Sequence, residues 1–206
     1  MKISLTRLVV FFLILFIVPN PLFCQEFIAE EIDTLSLNDL SSKDIITMGS
    51  KNDLLQKMGT PKKTDKNFMW CFREIKNSDT TFFEPIKINY ITYTYDCWGL
   101  QYNIDTNDEA TLTRVCFKKG SDLTLVHPKL IFTSKLKLKE LLNIFIHSEV
   151  QEESAINYFK PLNTRKKAYV VRFSTGYSNC CGAATTVVFD SKKYLRVIYF
   201  DHFYAQ

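Results

Sequence analysis

The sequence predicts an α+β fold: two tandem repeats, each a helix followed by an antiparallel meander, with both helices packed on one face of a shared curved sheet. Three observations predict it. A short helix punctuated at both ends lies at 50–58. Runs rich in β-branched and aromatic residues follow it at 68–75, 88–95, 100–104 and 112–117. The same order then recurs, with a helical stripe in 134–145 and strand-like runs at 169–173, 185–189 and 194–200. A shift of 84 positions lays Ser50 on Ser134, Leu54 on Leu138, Met58 on Leu142 and Cys97 on Cys181. The expected organisation is a signal peptide at 1–24, a lead-in at 25–44, a first repeat at 45–120 and a second at 121–206. Each half is small for a stable core of its own, so the two are expected to share one.

The first segment reads as an export signal. Lys2 and Arg7 precede an uninterrupted apolar run at 8–18, and Pro19, Asn20 and Pro21 break it before Cys24-Gln25. The run is short of the ~20 apolar residues that span a bilayer. Cleavage after Cys24 is expected; a lipid anchor on Cys24 is the rival reading. The mature protein is therefore expected in the periplasm or outside the cell, with no membrane span. The formal charge of +4 is small and includes Lys2 and Arg7 of the leader. Such a balance argues for neither nucleic acid nor an anionic membrane as partner.

Residues 25–44 are mixed and acidic, with Phe27, Ile28 and Ile32 read as a short strand. In the first helix Ser50 can accept from the N–H of Asp53, and Asp53 can reach back to Ser50. Leu54, Leu55 and Met58 share a face. Gly59 can take the left-handed turn that ends the helix, and Pro61 blocks its continuation. Asn77-Ser78-Asp79 breaks the strands that follow, and Asp96-Cys97-Trp98-Gly99 makes a turn. Leu100, Tyr102 and Ile104 alternate onto one face, and Val115 and Phe117 share a side. In the second half Leu138, Leu141, Leu142 and Phe145 form the helical stripe. A polar connection fills 147–167, and Ser191-Lys192-Lys193 links the last two strands.

The run Gly49-Ser50-Lys51-Asn52-Asp53-Leu54-Leu55-Gln56-Lys57-Met58-Gly59-Thr60-Pro61 resembles the helix-plus-sheet repeat of the β-lactamase inhibitor protein and of the small lipoprotein of the outer-membrane assembly machinery. In that group a glycine precedes a short helix that ends at Leu/Met-Gly-x-Pro. Gly49, Met58, Gly59 and Pro61 occupy those positions here, and Gly99-Leu100 is similar to the group's hairpin. Phe145-Ile146-His147 stands where the second stop would be. The resemblance implies two helical layers on a curved antiparallel sheet and a role in binding protein in the cell envelope. No contact residue of the inhibitor carries over.

Chemistry is sparse. Five cysteines follow the leader, at 71, 97, 116, 180 and 181, an odd count that leaves at least one thiol outside any intrachain bridge. Asn179-Cys180-Cys181-Gly182 is the most unusual local feature. Either cysteine can bridge Cys97, and a vicinal bridge would be strained and redox-active. No Cys-x-x-Cys is present, and His127, His147 and His202 fit no zinc spacing. No phosphate-cradling loop or nucleophile elbow occurs. Adjacent Glu152 and Glu153 read as solvated rather than as an acid pair. No catalytic residue, metal or cofactor is assigned. Tyr93, Tyr95 and Trp98, part of an aromatic cluster with Trp70, Tyr90 and Tyr102, are the candidate binding residues. The expected function is that of an exported, non-enzymatic module binding an envelope or extracellular protein; the alternative is a thiol-dependent enzyme or redox protein using Cys180 or Cys181.

Overall fold

A computed structural model of the chain describes residues 33–76, 80–96, 99–158, 167–174 and 184–201, with backbone alone at 71–74, 83, 156, 174 and 201. The expected signal peptide, the strand at 27–32, and Cys97, Trp98, Cys180 and Cys181 lie outside the described residues.

The first helix forms where its punctuation places it. Strand β1 (Met48–Ser50) leads into helix α1 (Lys51–Met58). Ser50 Oγ accepts from the Asp53 N–H at 3.1 Å and donates its own hydroxyl to Asp53 Oδ2 at 2.7 Å. The reciprocal arm of the cap thus runs through the hydroxyl rather than through the Ser50 backbone. Gly59 takes φ +73 and returns its N–H to Leu55 O, which stops the helix. Leu54 is fully buried, with Leu55 and Met58 packed beside it.

Two long strands follow, β2 (Lys63–Lys76) and β3 (Thr81–Tyr95), then β4 (Leu100–Ile104) and β5 (Glu109–Cys116). Leu100, Tyr102 and Ile104 alternate inward as their pattern requires. A small hairpin, β6 (Leu125–His127) and β7 (Leu130–Phe132), forms a separate two-stranded sheet. Helix α2 (Leu138–Ile144) precedes β8 (Val150–Ser154), a 3-10 turn (Ala155–Asn157), β9 (Lys167–Ser174), β10 (Ala184–Phe189) and β11 (Leu195–Asp201).

The main sheet is antiparallel in the order β2-β3-β4-β5-β11-β10-β9-β8. Its centre is the β5–β11 seam, where Arg114, Val115 and Cys116 pair with Tyr199, Ile198 and Val197. β1 takes the remainder of the same edge of β5, pairing at residues 109–111.

This architecture corrects the expected one. Strands hold 53% of the described residues and helices 15%. The chain is mostly β, not a pair of helix-plus-sheet repeats with a helical layer. The physical reason is reach. A helix of eight residues is about 12 Å long, while eight strands side by side span about 34 Å. α1 buries Leu54 and α2 buries Leu138 and Leu141, too little to cover such a sheet. The helices also fail to align under the shift of 84. It carries Leu100 onto Ala184, where two strands begin, but it carries the capping Ser50 onto Ser134, which caps nothing. Ser134 donates to Ser121 O, and α2 starts at Leu138 with the Lys137 N–H held by Glu140.

Irregular chain supplies the rest of the cover. Leu35, Leu37 and Leu40 of the lead-in and Ile45 just after it are all buried, as are Phe117, Leu123, Leu125, Phe132 and Leu136. Thr185 on β10 donates to Leu35 O at 2.7 Å, and Tyr102 on β4 donates to Ile46 O at 2.8 Å. Ser41 and Val126 exchange both backbone bonds. The second half of the sheet has a further small core on its other face, where Ala155, Ala168, Val170, Val188 and Val197 meet.

The buried Thr185 hydroxyl makes a direct prediction. Thr185→Val keeps the shape and leaves the Leu35 carbonyl without its donor, so chemical denaturation should show a loss of about 1–3 kcal/mol. Thr113→Val, at a part-buried hydroxyl bonded to Gln101 O, should cost less.

Candidate functional site

The residues expected to bind are inside. Tyr93 and Tyr95 are 8% and 3% exposed. Tyr95 donates to Gly59 O at 3.2 Å and meets Tyr102 edge to face at 6.0 Å. Both tyrosines pack the sheet against α1, so neither presents its ring to a partner.

Several described groups with catalytic chemistry also hold the structure together. Among the described residues no cluster of His, Cys, Asp and Glu can hold a metal ion. Asp33 accepts from the His147 N–H at 2.7 Å and from the Ser148 hydroxyl at 2.9 Å, which fastens the lead-in to the end of α2. His127 is buried against Phe145, its Nδ1 accepting from the Lys129 N–H at 3.2 Å. Burial holds the imidazole below its ordinary pKa and keeps it neutral.

Cys116 is a free thiol whose pKa burial pushes up, away from a reactive thiolate. It lies beneath Gly99, where φ is +54 and an added Cβ would come within 2.9 Å of Sγ. Glu152 and Glu153 do not act together. Glu152 pairs with Lys167 at 2.6 Å, and Glu153 pairs with Arg172 at 2.7 Å.

Exposed large apolar side chains fall mainly in two places: Phe68, Trp70 and Phe82 on β2 and β3, and Val126, Ile131, Ile144 and Ile146 around the β6–β7 hairpin and α2. β3 pairs with β4 only from Ile91 to Tyr95, so its residues 81–90 have β2 on one side and, among the described residues, no strand on the other. β2 in turn has no described strand on its outer edge. Residues 67–76 and 81–90 therefore leave the sheet as a two-stranded arm. Cross-strand pairs share a face. One face carries Phe68 opposite Asn89 and Trp70 opposite Lys87. Phe68 is 54% and Trp70 61% exposed, and the Lys87 ammonium sits 4.2 Å from the Phe68 ring centre. The other face carries half-buried Met69, Ile86 and Ile88, with exposed Phe82 beyond them.

At the root of the arm, where β4 stops, a cleft of about 420 Å³ is lined by Asn67, Asn89, Tyr90, Asp105 and Asp108. A second, larger hollow of about 840 Å³ lies between the β6–β7 hairpin and α2, with Val126, Ile131 and Ile144 on its rim.

The chain matches no family model, no curated protein and no solved structure. The site reading therefore rests on the arm's own geometry.

Sequence reasoning counted Trp70 among the aromatics but weighted Trp98. It missed Phe68 and Phe82, and it did not see that the strands run past their neighbour. Pro85 was the available signal. A proline cannot donate to a ladder, so its presence in a strand marks an edge.

The buried side of β9 adds a titration test. Tyr158 donates to Glu153 at 2.7 Å, and Arg172 contacts both. The hydrogen bond from Tyr158, then that from Arg172, holds the Glu153 carboxyl below its ordinary range. Desolvation and Glu153 push the Tyr158 phenol up to about 12. A lowered folded-state carboxyl stabilises above its unfolded pKa and loses that effect as acid protonates it. A raised phenol stabilises below its unfolded pKa of about 10 and loses that effect as pH climbs toward 12. Stability measured against pH should fall at both ends; Glu153→Gln should flatten the acid limb and Tyr158→Phe the alkaline one.

Proposed function

We propose that the protein is an exported, non-enzymatic module that binds another protein through the β2–β3 arm. One observation carries the reading: two large aromatic side chains, Phe68 and Trp70, stand more than half exposed on a ribbon that no described strand covers. Exposed aromatic rings are efficient anchors, because they bring large contact area at low entropy cost. An unpaired edge beside them offers backbone hydrogen bonds to an incoming strand. The burial of His127 and the pairing of Glu153 with Tyr158 and Arg172 support a binding role over a catalytic one at those two residues. The apolar run and cleavage-like site at 8–25 support export, and the likeness of residues 47–61 to envelope protein-binding repeats points to the same class.

The test compares wild-type protein with Phe68→Ala/Trp70→Ala as bait in envelope extracts. Both side chains are largely exposed, so thermal stability should change little, within about 0.5 kcal/mol. Capture of a specific protein should fall by at least about ten-fold in the double variant, the loss of a hot-spot pair. Equal capture by both baits, or none by either, would remove the arm as a recognition element.

A further inference from the structure

We propose that the face built from the β6–β7 hairpin, the start of α2 and the β10–β11 turn docks on the anionic surface of a lipid bilayer. Two observations meet there: a concentration of positive charge and a group of exposed aliphatic side chains.

The charge is local. Residues 129–140 and 190–196 hold seven cations and two carboxylates, whereas the whole chain carries a formal charge of only +4. The fold sets the two segments side by side. Lys137 and Tyr194 form a bridge, and the Leu138 N–H reaches Lys193 O at 3.0 Å. Along the first segment buried Leu136 and Leu138 alternate with exposed Lys135, Lys137 and Lys139. Lys192 and Lys193 are exposed in the turn. The carboxylates do not neutralise these five lysines. Asp190 pairs with Arg196 at 2.8 Å, and Glu140 accepts from the Lys137 backbone N–H at 2.8 Å. None of the five is ion-paired among the described residues. A small whole-chain charge therefore conceals a strongly basic ledge, and such a ledge attracts anions.

The aliphatic side chains adjoin it. Lys135 also lines the hollow between the hairpin and α2, as does Lys129. On the rim of that hollow Ile131 is 55% exposed, with Val126 and Ile144 beside it, and Ile146 just past α2 is 71% exposed. Protein interfaces are poor in lysine and draw their energy from Trp, Tyr and Arg. This face offers lysine and branched aliphatics. That pairing suits a bilayer: aliphatic side chains enter the boundary between headgroups and acyl chains, while long lysine stems keep their ammonium groups among the phosphates. Each lysine held at an anionic surface multiplies partition about five-fold. The aromatic arm is a different element and takes no part.

Co-sedimentation with phosphatidylcholine vesicles carrying about 30% phosphatidylserine tests this. The wild type should partition at least about ten-fold more strongly onto them than onto phosphatidylcholine alone, and added salt should shrink the difference. Lys135→Gln/Lys192→Gln should lower the partition at least about ten-fold, and Ile131→Ser about five-fold. Phe68→Ala/Trp70→Ala should bind as the wild type does. Hydrogen exchange on the wild type depends on no variant's folding: amides of residues 129–139 should slow with the anionic vesicles and not with the neutral ones. Exchange there that ignores lipid charge, or loss of vesicle binding in the arm variant alone, would overturn the proposal. So would lysine-dependent binding to soluble polyglutamate that is indifferent to Ile131, which would assign the ledge to an acidic protein.

Discussion

Three residue pairs hold the two halves of the sheet in one layer. Where Arg114, Val115 and Cys116 meet Tyr199, Ile198 and Val197, two meanders become a single surface. Val115 and Ile198 are both fully buried there, and β1 occupies the rest of the β5 edge so that no backbone is left open beside it. The seam is short because β5 must serve two neighbours on one edge, β1 at its start and β11 at its end. A sheet joined so narrowly needs support from its face, and the irregular segments provide it. The lead-in lies under both halves of the core cluster, hydrogen-bonded to β10 through Thr185 and to β4 through Tyr102. These bonds satisfy carbonyls that the absence of regular structure would otherwise leave buried and unpaired.

Local features were legible in the sequence; non-local ones were not. The ends of α1 could be read because Ser50, Asp53 and Gly59 act on their own neighbours. The inward set of β4 could be read because strict alternation has one geometric meaning. The lead-in could not: its buried residues Leu35, Leu37 and Leu40, with Ile45 just after it, are spaced by two, three and five, which fits neither helix nor strand. The start of α2 was misplaced because Ser134 looks like a cap, yet 135–137 stays outside the helix and Glu140 binds the Lys137 N–H instead. The length of the arm was missed for a similar reason. Lys63 to Asn67 is polar, and its strand character comes only from pairing with residues 90–94. Tyr93 and Tyr95 illustrate the limit for sites. Composition identified them as aromatic strand residues, but which face of the sheet lies against α1 is decided by packing at a distance.

The two ends of the sheet have different support. Toward the opposite end β9 and β10 carry buried residues on both faces, one set in the main core and the other in the cluster around Ala155 and Val188, although β8 itself is largely exposed. At the β2–β3 end the ribbon has only its own cross-strand pairs beyond Ile91. Local opening should therefore cost least in the arm and most near the seam. The arm can therefore adjust its shape while the core stays fixed.

Pro85 gives the arm chemically unequal borders. Its ring nitrogen carries no hydrogen, so it fits β3 only where the ladder to β2 does not call on it, and the opposite border loses a donor at that point. Strand-on-strand growth through that border is interrupted, whereas the β2 border is continuous. A strand laid along the β3 border would meet one missing donor, and one laid along β2 would meet none.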